Sequence, residues 1–416
     1  MSEKIEQWLA AHARPPQEIN LGLERLHTMR ERLSLHLSMP VVTVGGTNGK
    51  GSVCHLLSAM LTASGLSVGC YTSPHILHFG ERIAINGAAT PDGEVLDALQ
   101  TVAAAAEGID LTYFELTTLA AALLFARRAC DVVILEVGLG GRLDAVNVFD
   151  SEVAVLTNIG IDHTEFLGDT RDAIALEKAG ICRAGKPVVV GDAAPPPALL
   201  PELKRREARI KIIGEDFQFT NEKFWSYRGA KHRLANLPSP ALAGAHQRRN
   251  AATALAALEA LPADYWPGAG AVRRGLHAVE LAGRAQVLAG QPVTVLDVGH
   301  NVSAAVVLER QLFDMGYYPS TVAVLGMLAR KDVAGFVATL LPRVDHWHVA
   351  RPQGGDLSAE ELAAAVRAAG GVVTSHPSIA VAAAAACEKA GNNGRIVVTG
   401  SFLTVADYLQ HYGKES

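Results

Sequence analysis

Cysteine is scarce in this chain, with five in 416 residues, at positions 54, 70, 130, 182 and 387. The number is odd, the spacing wide and C-x-x-C absent, so neither a disulfide framework nor a zinc cluster is indicated, and a reducing cytoplasm is expected. Basic charge is also short. Lys and Arg number 37 against 42 Asp and Glu, a net charge of -5, and no dense Lys/Arg run occurs, which argues against nucleic acid as a partner. Uninterrupted apolar sequence never reaches the length of about 18 residues that a membrane span needs. The N-terminus carries Glu3, Lys4, Glu6 and His12 instead of a basic segment followed by an apolar one, so neither export nor membrane insertion is expected. What the chain does have is apolar material for a large core: 49% hydrophobic against 19% charged residues. Its length suggests two or three domains at roughly 150 residues each.

Met39-Pro-Val-Val-Thr-Val44 reads as a buried strand, followed by a glycine-rich turn and an apolar helix over 53–64. The alternation recurs with a helix over 116–129 and strands over 131–136, 153–157 and 187–190. Alternating strands and helices imply a doubly wound, mostly parallel sheet. A proline-rich piece at 195–201 and a polar, short-stranded excursion over 210–242 precede a helix over 247–261. A second series, with strands over 293–297, 321–325, 346–349 and 395–399, predicts a smaller Rossmann-like α/β domain. Alanine-rich stretches near Ala103, Ala363 and Ala382 read as closely packed helices.

Between the first strand and its helix lies Gly45-Gly-Thr-Asn-Gly-Lys-Gly-Ser52. Backbone N–H groups and a helix N-terminus there can cradle phosphate oxygens while Lys50 neutralises their charge. The loop departs from the strict G-x4-G-K-[ST] pattern: Val44 stands where the first glycine belongs, and Gly51 delays the hydroxyl to Ser52. Glu136 ends an apolar strand at the edge where open α/β sheets bind ligands, and its carboxylate suits a hard Mg ion; taken alone it is also a solvated strand end. His163, in Gly160-Ile-Asp-His-Thr164, is by its chemistry either a ligand or a hydrogen-bonded structural residue. Lys178, beside Glu177, reads by default as one half of a surface ion pair. Arg284 and Asp297, with His300 and Asn301, are the polar points opening the second domain, and simple turn chemistry accounts for them equally.

From Gly46-Thr-Asn-Gly-Lys-Gly-Ser52 onward the chain resembles the Mur ligase superfamily in its folate branch, the folylpolyglutamate synthase and dihydrofolate synthase proteins. The resemblance runs nearly end to end, through Ile19-Asn-Leu-Gly-Leu23, Thr72-Ser-Pro-His75, Gly80-Glu-Arg-Ile83, Phe114-Glu115, Glu136 to Asn147, Gly160-Ile-Asp-His163, Glu177-Lys-Ala-Gly-Ile181, His246-Gln-Arg-Arg-Asn250, Gly283-Arg284 and Asp297-Val-Gly-His-Asn301. Only 44 residues precede Gly45, too few for the extra domain with which peptidoglycan-precursor ligases hold a UDP-sugar. Val302 departs from the proline that follows His-Asn in many relatives.

The resemblance implies an ATP-binding domain with a pterin site over 1–286 and a C-terminal Mur-ligase-like α/β domain over 287–416. It implies a monomeric, ATP- and Mg-dependent ligase whose substrates are dihydropteroate, tetrahydrofolate and L-glutamate. Gly46, Thr47, Asn48, Gly49, Lys50, Gly51 and Ser52 would hold the nucleotide phosphates, with Asn250, Arg284, Asp297 and His300 as further nucleotide contacts. Ser73, Glu136 and His163 would hold one Mg ion, and Lys178, N-carboxylated to a carbamate, would help hold a second. Phe114, Asp144 and Ala145 match the pterin pocket, over which the segment containing Gly22 would close. Arg82 and Ser401 match contacts to the incoming glutamate. Domain closure is expected to complete the site.

Overall fold

The β-branched runs of the first half are apolar at consecutive positions, the pattern of strands covered on both faces. The computed structural model describes residues 2–14, 20–222 and 224–413; Ile19 of the N-terminal motif lies outside them. Eight strands form one sheet: β1 (Val41–Gly45), β2 (Val68–Tyr71), β3 (Ile83–Ile85), β4 (Ala88–Ala89), β5 (Val132–Glu136), β6 (Val153–Leu156), β7 (Pro187–Val190) and β8 (Arg209–Ile212). Their order is β4-β3-β2-β5-β1-β6-β7-β8. The pairings from β2 across to β8 are parallel, while β3 and β4 are antiparallel. Strand β1 lies between β5 and β6, with Val44 opposite Glu136 and Gly45 opposite Leu156. The order of connections reverses beside β1, the place where such sheets open a ligand crevice.

The polar excursion forms a small antiparallel sheet of β9 (Gln218–Phe219), β10 (Trp225–Arg228) and β11 (Arg233–Leu237). Trp225 is its buried anchor and donates its indole N–H to Pro238 O at 2.7 Å.

Residues cluster into two compact units, one of Met1–Ala241 with Gln247–Glu280, the other of Leu242–His246 with Leu281–Ser416. The second holds β12 (Gln286–Leu288), β13 (Val293–Asp297), β14 (Thr321–Leu325), β15 (His346–Ala350), β16 (Val373–His376) and β17 (Arg395–Thr399), in the order β12-β13-β17-β14-β15-β16. Only the edge strand β12 runs antiparallel. Its own core includes Phe336, Trp347 and Val397. Both α/β units and the long strands expected from sequence are present. The three alanine-rich stretches are the helices Asp92–Ala105, Ala359–Ala368 and Ile379–Ala390. The sequence reading missed β2, β3, β4, β12 and β16. All five are short; β3, β4, β12 and β16 are partly or wholly exposed and lack the apolar run that marks a covered strand, while β2 is buried but has Gly69 among its four residues. Among the described residues no helix is long and apolar enough to cross a membrane.

Candidate active site

At Gly46 the chain leaves β1 and turns sharply. Its φ is +143°, and a Cβ there would meet Thr157 Oγ1 at 1.9 Å, so only glycine fits. The loop is tied to the segment after β6. Thr47 N donates to Asn158 O at 2.9 Å, Asn48 N to Asn158 Oδ1 at 2.7 Å and Thr157 Oγ1 to Asn48 O at 2.7 Å. Sequence reasoning passed over Thr157 and Asn158, although they follow a strand's C-terminal end just as His163 does. Gly49, left-handed at φ +84°, then starts helix Lys50–Ala63 without a side-chain cap. Its first-turn N–H groups are the kind of donors that bind phosphate.

Two lysines converge on this loop. Lys50 Nζ donates to Gly46 O and Thr47 O, both at 3.1 Å. Lys178 Nζ donates to the same Gly46 O at 3.0 Å. Lys178 is 5% exposed, so it is not the surface residue that its acidic neighbour suggested; Glu177 pairs instead with Arg142 at 2.8 Å. Burial, and then the charge of Lys50, push the Lys178 ammonium down to about 7, against the pull of Asp162 and Asp144. Gln247 and Asn250 close the other side: Gln247 Nε2 donates to Ser52 Oγ at 3.4 Å, and Gln247 Oε1 accepts from Asn250 Nδ2 at 2.9 Å. Asn250 also lies against Gly49.

Glu136, one strand over from Val44, is buried and accepts the N–H of Ser73 at 3.1 Å. His163 holds a left-handed backbone, φ +52°, at the start of the short helix Thr164–Leu167. Its N–H donates to Asp162 Oδ1 at 2.9 Å. The carboxylate ends β5, the hydroxyl lies two residues beyond β2 and the imidazole seven residues beyond β6, three strands of the same sheet. Among the described residues no three His, Cys, Asp or Glu side chains form a metal cluster. The donor set suits Mg nonetheless, since that ion usually takes one or two carboxylates and completes its shell with water and substrate phosphates.

Phe114, from the helix Tyr113–Arg127, lays its ring against the backbone of Gly138, where a Cβ would come within 2.6 Å of Cζ. Asp144 is buried beside it and caps the turn Ala145–Val148, its two oxygens accepting Val146 N at 3.1 Å and Leu139 N at 2.8 Å. Burial pushes its carboxyl up to about 6, although these N–H groups favour the anion. Ala145 is buried next to it. Arg82, 9% exposed, follows the Thr72–His75 segment, and its Nε donates to His75 Nδ1 at 2.8 Å.

In the second unit Asp297 ends β13 opposite Thr399 of β17. It accepts Gly299 N at 2.7 Å and Ala285 N at 3.0 Å, and burial raises its carboxyl. His300 Nδ1 donates to Val298 O at 3.0 Å. Arg284 places its guanidinium 5.2 Å from the Phe402 ring centre. Ser401 caps helix Phe402–Tyr412 through Thr404 N at 3.1 Å. The polar points of this unit thus gather at the C-terminal ends of two adjacent strands, the ligand edge of such a sheet.

Comparison with known proteins follows the same division. Residues 44–258 match the Mur ligase middle domain, and residues 283–402 match the Mur ligase, glutamate ligase domain. The dihydrofolate synthase/folylpolyglutamate synthase of Haemophilus influenzae is 40% identical, the match covering 97% of this chain and 96% of that one. That of Escherichia coli is 39% identical over 94% and 91%. Among solved structures, E. coli FolC in complex with DHPP and ADP superposes with a TM-score of 0.92 at 37% identity, covering 99% of this chain and 98% of that one. A bifunctional folylpolyglutamate synthase/dihydrofolate synthase with Mn, AMPPNP and L-glutamate bound gives 0.88 at 38%, covering 98% and 97%. Likeness this extensive, with both domain models in order, establishes that the chain belongs to the Mur ligase family, in its dihydrofolate synthase/folylpolyglutamate synthase branch.

Proposed function

We propose that the loop Gly46–Ser52, Lys50, Lys178, Glu136, Ser73 and His163 carry an ATP-dependent amide ligation that joins L-glutamate to dihydropteroate and further L-glutamate to reduced folates. The observation that carries the reading is the convergence of Lys50 and Lys178 on one carbonyl of a strand-loop-helix turn, with a buried carboxylate on the adjacent strand. The relatives' bound ligands, ADP with DHPP and AMPPNP with L-glutamate, support the substrate classes.

The chemistry has to bring anions together. The substrate carboxylate attacks the γ-phosphorus of ATP, the bond to the β-phosphate bridging oxygen breaks, and ADP leaves with that electron pair. The glutamate amine then attacks the acyl carbon, phosphate departs, and a proton is lost from nitrogen. Lys50 and the loop N–H groups neutralise charge that builds on the transferring phosphoryl group. Glu136, Ser73 and His163 would hold Mg, which when bound screens the phosphates and polarises their oxygens. A carbamate on Lys178 is supported by its burial and by its lowered ammonium, since an amine titrating near pH 7 supplies a substantial share of the neutral form that reacts with CO2. Phe114 offers the pterin a stacking face. Asp144 orders that pocket and, with Ala145, forms its wall; Gly22 belongs to the segment proposed to cover it. Arg82 and Ser401 would meet the glutamate, and Asn250, Arg284, Asp297 and His300 the nucleotide. Five free cysteines, four of them buried, fit a cytoplasmic location.

ADP release with mass detection of products, each component omitted in turn, tests the reading. Dihydropteroate gaining one glutamate and tetrahydrofolate gaining more is the expected result; ATP cleavage that ignores both would overturn it. Lys50→Ala and Glu136→Ala should lower kcat by about 10²-fold or more while remaining folded. Lys178→Ala should be inactive yet partly recovered by added acetate or formate, and full activity without either would sink the carbamate assignment.

A further inference from the structure

Arg82 is a buried cation with no acidic partner within ion-pair distance among the described residues. Its guanidinium is fixed on three sides instead: Cζ lies 5.7 Å from the Phe79 ring centre and 5.3 Å from that of Tyr113, and Nε donates to His75 Nδ1 at 2.8 Å. An Nδ1 that accepts leaves the ring proton on Nε2. That nitrogen lies 3.5 Å from Glu6 Oε1, and Tyr113 donates its hydroxyl to the same Glu6 oxygen at 3.2 Å. Helix Ser2–His12 thereby fixes the imidazole, and the imidazole fixes the guanidinium. With Nε spent and the ring faces covering its plane, Arg82 has only the end-on pair Nη1 and Nη2 to offer, a fork that matches one carboxylate.

We propose that His75 is a positioning residue for glutamate, acting as the obligatory acceptor that turns the Arg82 fork end-on toward the incoming carboxylate. The proposal rests on the reading of Arg82 as a glutamate contact. Lys, or an arginine free to swing, would leave that carboxylate held by a less directed charge, and Ala would leave it without one. Replacement of His75 should therefore act on glutamate and leave ATP and the pterin substrate unaffected.

The test is steady-state kinetics with L-glutamate varied at saturating ATP and dihydropteroate. His75→Ala should raise the glutamate KM by roughly tenfold to hundredfold, with the KM values for ATP and dihydropteroate unchanged. His75→Asn, whose Oδ1 replaces the accepting Nδ1, should return the glutamate KM to within about threefold of wild type, since an acceptor of similar position restores most of such a bond. In an Arg82→Ala background His75→Ala should have no further effect on that KM, because the two act as one unit. Arg82→Ala with an unchanged glutamate KM would remove the underlying reading. Arg82→Ala with a raised KM but His75→Ala without one would overturn the positioning role alone. Loss in His75→Asn equal to that in His75→Ala would overturn it as well. If His75→Ala does not fold, the Asn variant and the Arg82→Ala comparison still decide.

Discussion

At the scale of the residue, Lys178 is where local pattern and tertiary setting part. Its neighbour Glu177 suggests a surface pair, yet on helix Arg171–Ala179 the buried positions are Ile174, Ala175, Lys178 and Ala179. The 174, 175, 178 spacing is that of an apolar helical face, so the sequence already contained the sign that this lysine points inward. What it could not contain was the carbonyl of Gly46 waiting 132 positions earlier. The folded protein releases the Lys178 proton at about pH 7, against an ordinary value of 10.5. Between those values the unfolded chain holds more protons, so this residue makes folding more favourable as pH rises through the window and less favourable below it. In Mg-free, CO2-free buffer, the stability of the wild type relative to Lys178→Met should increase from pH 7 to pH 9 by at most about 1.4 kcal/mol per unit. Urea unfolding of both at three pH values measures it, and a difference independent of pH would mean that the amine stays charged.

At the scale of the element, helix Tyr113–Arg127 shows how a boundary is set. The apolar pattern suggests a start at Leu116, but the helix begins three residues earlier, at the capping box of Thr112 and Glu115. That box is legible as Thr-x-x-Glu; the apolar window simply outweighed it. Glu115 accepts Thr112 N at 2.8 Å and also pairs with Arg25 at 2.7 Å, tying the early helix Glu24–Arg32 to the one that carries Phe114. Because Glu115 is buried and Arg25 only part-exposed, Glu115→Ala removes a cap and leaves a cation poorly solvated. A loss of about 2 kcal/mol is expected, read as a lower urea midpoint at unchanged slope. Arg25→Ala should cost less, since it leaves the cap intact. Equal losses would show that the ion pair, not the cap, is the larger interaction. Covered strands such as β1, β5 and β17 were legible because both faces are apolar. Edge strands were not, because exposure permits Thr374, Ser375 and His376 where a covered strand would need Val or Ile.

At the scale of the whole molecule, the motifs fall along 416 residues in an order that spacing alone cannot convert into contacts. Val44 and Glu136 become neighbours only through the parallel pairing of β1 with β5, and Ser52 and Gln247 meet across 195 positions. The site of the first unit is thus a property of its sheet order, and a nucleotide held there binds the folded state alone. Mass action then adds stability as RT ln(1 + [L]/Kd), about 2.7 kcal/mol when the ligand stands at 100 times its Kd. For a unit of this size that corresponds to a rise of roughly 5 °C in the melting transition. AMPPNP with Mg should produce such a shift in the wild type, as followed by calorimetry. Lys50→Ala should lose most of it, because the ammonium neutralises the phosphates whether or not chemistry follows. His75→Ala should keep it in full, since its partner Arg82 is assigned to glutamate. A nucleotide shift that survives Lys50→Ala would move the phosphate site away from the loop Gly46–Ser52, whatever the variant's activity.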